Sequence, residues 1–392
     1  MAEARPPIAR HLAWIVALLD AVDDVLAERP TSPAPPPWCE GRGWTQYLLQ
    51  MADSSLEAAE ALGPEHVLAG DPRAPASLRA LAAEVREAAV LPERAAPAAA
   101  PMRLASVRKQ VQIEALVALA PRGVARVVDL GAGRGHLTRR LARALGVPAV
   151  GIERRAPVVE LARAIEPGPD VAFEAREIDD DLALEPDDLV VGLHACGALG
   201  DRLARAAARA GAAVLLVPCC PQKIPGDVRA PLSSRGRPLA RRVLGLANLG
   251  GATEAGTTVA DSAHRRAMRH ALRILLDEAG VPTHPGEEAR AVNRRQFRRP
   301  LEEVAARAFG ALGLPPPRDA ALRRAAQRAA EEQAVMRRLA LPRAMLARPL
   351  ELAVVLDRAA ALEEGAGAPP EVLRAFPPTV SPRNVVIHRP PR

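Results

Sequence analysis

Hydrophobic spacing divides the chain into regimes. Over the first hundred residues apolar positions recur at helical intervals, with Leu12, Ile15, Val16, Leu19, Val22 and Leu26 on one face. The pattern predicts helices over about 8–26, 44–61 and 76–90. The Pro-rich stretch TSPAPPP breaks them and LPERAAPAAAP ends the region. From about residue 102 short β-type runs alternate with helical ones. RVVDL precedes HLTRRLARAL, AVGIE precedes PVVELARAI, VAFEA follows, LVVGLH precedes ALGDRLARAAARA, and AVLLVP closes the series. Strands alternating with helices imply a parallel sheet covered on both faces, the doubly wound α/β class.

Beyond this the pattern is helical again, over about 258–279, 300–311 and 319–348. ELAVVLDRAAALEEG then reads as one more helix, and EVLRAF with NVVIHR as a closing strand pair. The expected organisation is a helical N-terminal region (1–100), an α/β core (101–225), a basic helical insertion (226–349) and a closing helix with strand pair (350–392).

Composition narrows the classes. A chain of 392 residues, 49% of them hydrophobic, can bury a large core. Its four cysteines, two of them adjacent, are too few to staple a fold of this size, so they are expected as thiols in a reducing cytoplasm. The most apolar stretch, HLAWIVALLDAVDDVLAE, is interrupted by Asp20, Asp23 and Asp24, which argues against a membrane span. The net charge of +7 says little by itself, because 51 of the 53 basic residues are arginine, as a GC-rich coding bias would produce. Its distribution says more. Residues 221–349 carry 24 basic and 12 acidic side chains, which leaves the rest of the chain net acidic.

Strand RVVDL runs directly into GAGRGHL and a helix. Gly131, Gly133 and Gly135 therefore occupy a tight turn where backbone can approach a ligand closely. A dinucleotide fingerprint wants glycine where His136 stands, and a Walker loop needs a Gly-Lys-Ser/Thr that is missing, so NAD and ATP are disfavoured. Three glycines preceded by an acid, Asp129, form instead the loop used with S-adenosylmethionine. Glu153, at the end of the next strand, is placed to accept the ribose hydroxyls, and Asp179 or Asp180, after the third strand, to meet the adenine amino group.

Several motifs together resemble a family. They are Asp129-Leu-Gly-Ala-Gly-Arg-Gly-His-Leu, the VGIE ending at Glu153, Leu193-His-Ala-Cys-Gly197, Pro218-Cys-Cys220, the near-terminal Ser381-Pro-Arg-Asn384, and VRKQ upstream. They are similar to the class I methyltransferase domain of the methyltransferase-like protein 25 group and, more distantly, of the eukaryotic tRNA acceptor-stem 2′-O-methyltransferase. The likeness covers about 102–225 and 350–392. It implies a Rossmann-like sheet, S-adenosylmethionine as donor, and methyl transfer. The chain departs from the group at Ala198-Leu199-Gly200-Asp201, where an acid usually follows Cys-Gly directly, and at the Pro-Gln-Lys after Cys-Cys.

The fourth and fifth strands of such a sheet are neighbours, so His194 and Cys196 would face Cys219, Cys220 and Lys223 across the rim where the methyl group is delivered. Four roles stay open. His194 can act as a near-neutral base, with Lys223 orienting the acceptor. A cysteine can be a covalent nucleophile, although the motif expected around a pyrimidine C5 nucleophile is missing. The His and Cys groups can ligate zinc, against which adjacent cysteines and the lack of CxxC weigh, so no metal is expected. Small soft side chains can also simply fill tight strand ends.

For the acceptor, RNA suits the basic segment through His264, Arg265, Arg266, Arg269, Arg294, Arg295, Arg298 and Arg299. The segment offers only Phe297 and Phe309 as stacking aromatics. A ribosome-associated protein is the other acceptor considered. A non-catalytic donor-binding or RNA-binding protein on the same fold is the rival from a different class.

Overall fold

The structure is a computed structural model that describes residues 7–94, 105–165, 170–249, 258–289 and 292–392, with the side chains of Ala289, Arg294 and Arg295 outside that description. The chain forms two compact units. One comprises Met1–Ala27, Glu84–Ala255 and Ala344–Arg392, the other Glu28–Ala83 and Gly256–Arg343. The expected N-terminal region is thus shared between the two. The expected insertion begins about thirty residues later, because residues 226–249 pack onto the sheet unit.

The first unit is the doubly wound sheet that the alternating pattern predicts. Its strands are β1 (Arg126–Leu130), β2 (Ala149–Glu153), β3 (Val171–Ala175), β4 (Asp188–Cys196) and β5 (Ala213–Cys219). A short hairpin, β6 (Val228–Arg229) and β7 (Leu239–Ala240), follows, and β8 (Glu371–Arg374) and β9 (Val385–Arg389) close the sheet. The strand order is β3-β2-β1-β4-β5-β9-β8. The pairs from β3 to β5 are parallel, while β5–β9 and β8–β9 are antiparallel. Strand β5, between β4 and β9, is buried at every position, as expected of a strand covered on both faces. Chain order reverses between β1 and β4, and this switch point opens a crevice beyond the carboxyl ends of the strands.

Helices Val107–Leu119, His136–Leu145, Ala156–Ala164, Ala198–Ala210 and Ala347–Glu364 cover the sheet. The last is buried through most of its length, including Asp357 and Arg358, and packs against Ala198–Ala210 and the N-terminal helix Ile8–Ala21. Its two charges need partners, because an isolated buried ion is costly. Arg358 Nε donates to Asp201 Oδ1 at 2.8 Å and its Nη2 to the Gly197 carbonyl at 2.8 Å. Arg229 of β6 bridges the two acids, reaching Asp201 Oδ1 and Asp357 Oδ2 at 2.8 Å each. Asp357 also accepts from the backbone N–H of Leu232 and Ser233. Two arginines and two aspartates thereby tie residues 226–233 and the closing helix to the end of β4.

In the second unit Val259–Glu278, Leu301–Ala311 and Asp319–Leu339 form helices as predicted, the first opened by a Thr258–Asp261 capping box. The helix expected over 44–61 is two, Thr45–Leu49 and Asp53–Leu62. No described helix is long and apolar enough to cross a membrane.

Replacing Asp201 by Ala leaves two buried guanidinium groups short of a counter-charge. Urea unfolding should show a loss of about 3–5 kcal/mol, and a loss below about 1 kcal/mol would mean that the network is not a structural tie.

Candidate active site

Beyond β1 the chain turns through Gly131, Gly133 and Gly135, all with positive φ. A side chain on Gly133 would meet nothing within 4 Å, so backbone here faces open space. A side chain on Gly135 would overlap the Phe173 ring, over which Arg139 stacks at 4.7 Å. Gly135, expected in the cradle, is therefore a packing glycine required by the contact between the loop and β3.

A cavity of about 450 Å³ opens over the loop, and Ser106, Lys109, Asp129, Gly131, Gly133 and His136 are among the residues that line it. Asp129, Gly131 and Gly133 thus stand where the sequence placed them. Asp129 is fully buried, and Thr138 Oγ1 donates to its Oδ2 at 2.6 Å. Burial pushes its carboxyl up to about 6, against the pull of that hydrogen bond and of Lys109. Lys109 is half-buried opposite it, and burial pushes its ammonium down. The lysine reaches this place on the helix Val107–Leu119, whose N-cap Ser106 accepts from the Lys109 backbone N–H at 3.3 Å.

The other expected donor contacts lie elsewhere. Glu153 braces the loop instead of lining the cavity. Its Oε1 accepts from Arg155 N at 3.2 Å and Arg155 Nε at 2.9 Å, and its carboxylate also accepts from the Gly133 N–H. Burial pushes this acid up, but the Arg155 and Gly133 donors outweigh it and the net direction is down. A ribose diol would therefore have to displace Arg155, which is mostly exposed and free to swing away. Asp179 is exposed and accepts from the Asp181 N–H, while Asp180 lies near Arg202 and Arg205. Neither lines the cavity.

The ends of β4 and β5 do come together. Cys196 and Cys219 are register partners, and the pairing slips between Leu193 and Ala195. His194 fills that slip at φ 68° and Cys220 follows β5 at φ 42°. They are the two non-glycine residues with positive φ among the described residues, a costly conformation that clusters at functional sites. Gly197 closes the rim: a side chain there would overlap the Lys223 carbonyl, which accepts from the Ala198 N–H at 2.9 Å. Gly197 N donates to the Cys219 carbonyl at 3.2 Å.

Two expectations about this rim change. His194 is not a near-neutral base. Burial, then Lys109, Arg108 and Arg383, pushes its imidazole down to about 4. Its Nε2 lies 3.3 Å from Gln112 Oε1, a hydrogen bond when Nε2 carries the proton. Nor are all the cysteines free thiols, for Cys196 and Cys219 are joined as a disulfide while Cys220 is free. Direct register pairing on adjacent strands makes that contact possible, and neither spacing nor count along the chain reveals it. Lys223 is exposed, with Nζ 4.0 Å from Cys196 Sγ.

Lys109, one of only two lysines, and Arg383 stand in the VRKQ and Ser381-Pro-Arg-Asn384 motifs without a role assigned by the sequence, and nothing along the chain marks Ser106 or Gln112. The near-terminal Ser381-Pro-Arg-Asn384 motif also finds its role here. Ser381 Oγ accepts from Arg108, and Arg383 donates to the Ala247 carbonyl at 2.6 Å, so both arginines are held near His194.

Residues 104–227 match the model of a methyltransferase domain. The matched span contains the glycine loop, the cavity and both cysteine groups. Among solved structures, the chain is similar to an S-adenosylmethionine-dependent methyltransferase from Mesorhizobium loti, at 26% identity over 26% of this chain and 50% of that one, with a TM-score of 0.22. It is similar to one from Thiobacillus denitrificans in complex with S-adenosyl-L-homocysteine, at 25% identity over 27% and 46%, TM-score 0.23. It is also similar to a chain in the complex of the Haloferax volcanii Trm112 methyltransferase activator with a methyltransferase, at 25% over 26% and 48%, TM-score 0.22. The chain thus spans about half the length of these structures.

The residues present fit S-adenosylmethionine, the donor expected from the glycine loop. Bare backbone at Gly133 leaves room for the ligand, and a buried acid faces the cavity. The donor carries a sulfonium and an ammonium, and Asp129, uncomfortable as a buried anion, gains from a cation beside it.

The sign of the pH dependence follows. With its value raised above that of an unfolded aspartate, Asp129 favours the folded chain most at low pH, and that contribution is lost as pH rises through about 6. A cationic ligand favours the ionised form, so calorimetry should show donor affinity rising about tenfold between about pH 5 and pH 7. The rise should vanish in Asp129→Asn. A pH-independent affinity in the unaltered protein would remove Asp129 from the donor site.

Proposed function

We propose that this protein is an S-adenosylmethionine-dependent methyltransferase whose acceptor is a structured RNA, such as tRNA or rRNA. The observation that carries the methyl-transfer reading is one of placement. The donor cavity lies over the loop after β1, and the rim of β4 and β5, with its two left-handed residues, stands beside it in the same crevice. The motifs shared with the methyltransferase-like protein 25 group support it.

Transfer of a sulfonium-borne methyl to a nucleophilic acceptor is an in-line displacement in which the neutral thioether leaves, so the protein mainly aligns acceptor and donor. His194 stays neutral well below physiological pH. With Nε2–H turned to Gln112, its Nδ1 lone pair is free to accept a hydrogen bond from the acceptor, which makes it an orienting group and at most a weak base. Lys223, exposed on the same rim, suits a phosphate or the acceptor itself.

The RNA reading rests on the second unit, and there the charges divide into two sets. Arg266 and Arg337 pair with Glu60, Arg338 with Asp53, Arg269 with Glu288, and Arg299 with Glu303. Arg298, Arg307, Arg318, Arg323 and Arg324 are exposed. Arg294 and Arg295 lie outside the described side chains. Phe297 and Phe309 are buried in the unit's core at 1% and 4% exposure, so neither can stack on a base. Exposed cations without stacking aromatics suit phosphate contacts along a folded RNA better than a splayed single strand.

The test is transfer from tritiated donor to fractionated RNA and protein. Label should enter ribonuclease-sensitive material and fall steeply with added salt. It should vanish in Gly133→Val, whose side chain fills the cradle, and drop about 10²-fold in His194→Ala. Label in protein would overturn the RNA acceptor, and absence of label from every fraction despite donor binding would overturn the transfer itself.

A further inference from the structure

Adjacent cysteines and the lack of CxxC weigh against a metal at the rim, the first because neighbouring residues of a strand point to opposite faces. The structure removes that objection. Strand β5 ends at Cys219, and Cys220 takes φ 42°, a left-handed step that breaks the alternation. The Sγ atoms of Cys196, Cys219 and Cys220 consequently all lie within 4.8 Å of one another. Among the described residues no other group of three His, Cys, Asp or Glu side chains converges in this way.

We propose that in the reduced protein these three thiols form a binding site for a thiophilic divalent cation of the Zn²⁺ class. Thiolates about 2.3 Å from a tetrahedral zinc stand roughly 3.8 Å apart, so once reduced the Cys196 and Cys219 sulfurs have only to part from bonding contact to take up that spacing. The three sulfurs are soft ligands, and three thiolates around a divalent ion leave one net negative charge. The Lys223 ammonium, 4.0 Å from Cys196 Sγ, is the cation placed to offset it. His194 is not a fourth ligand, since its imidazole Nε2 lies 3.3 Å from Gln112 Oε1.

The site therefore has three protein ligands and a fourth position left to water or to an acceptor. That is the pattern of an open zinc site and not of a closed structural one. Cys196 and Cys220 are part exposed at the rim, so the ion has an entry path. The sulfurs it needs are those the disulfide joins, so the site exists only in the dithiol form.

The experiment uses the full chain, reduced with a phosphine under anaerobic conditions and titrated with Zn²⁺ against a chromophoric chelator. A parallel Co²⁺ titration is read by its thiolate-to-metal charge-transfer band. The expected result is one ion per chain with that band. Cys196→Ser, Cys219→Ser and Cys220→Ser should each weaken binding by about tenfold or more, given that even outer-shell losses cost about 10–100-fold. Cys39→Ser, in the other unit, should change nothing.

A reduced, unaltered chain that takes up no stoichiometric ion overturns the site, and so does a Cys220→Ser protein that binds as tightly as the parent. The parent titration decides the matter even if a variant fails to fold. Because no methyl transfer is measured, the outcome is separate from that of the acceptor assay.

Discussion

The arrangement hangs on the buried guanidinium of Arg358. It lies on the closing helix, 157 residues after its partner Asp201, and it also holds the carbonyl of Gly197, the residue at which β4 ends and its helix begins. A charge at 1% exposure is tolerable only when its hydrogen bonds are made. The chain therefore cannot bury this helix without also fixing the end of β4. Gly200 shows how closely the fit is drawn, since a side chain there would sit about 2.9 Å from the guanidinium.

From that fixed point the rest of the rim follows. Gly197 is held against the Lys223 backbone, the β5 loop is drawn onto β4, and the three thiols, His194 and Lys223 converge at one edge of the crevice. The cavity beside the glycine loop is built by different means, namely bare glycine backbone, a buried acid that prefers a cation, and a lysine delivered by the preceding helix. Both sides are electrostatically uneasy on their own. Asp129 is pushed up by burial and His194 pushed down by burial and its cationic neighbours. Such opposed displacements are common where charge is to be handled.

What was legible in the sequence is what short-range pattern encodes. The apolar runs of β1 to β5, the helices after β1, β2 and β4 and the glycine turn after β1 needed no tertiary information. The closing pair β8 and β9 could be read for the same reason. Three features could not. Residues 28–83 share a unit with 256–343 through pairs such as Glu60 with Arg337, and nothing local marks a partner 277 residues away. Phe297 and Phe309, already too few in the sequence for a stacking platform, are core residues in the fold. The conformations of His194 and Cys220 arise from a register slip and a strand ending that residue identity does not announce, and with them went the cysteine pairing and the low value of the imidazole.

Native-state hydrogen exchange on Arg358→Met tests most directly whether Arg358 orders the rim of β4 and β5. If the guanidinium holds the end of β4, the Gly197 and Ala198 amides, which donate to the Cys219 and Lys223 carbonyls, should lose protection. The Gly131 amide, bonded to the Ile152 carbonyl on the glycine-loop side, should keep it. Unchanged protection at Gly197 and Ala198 in a folded Arg358→Met protein would contradict the account.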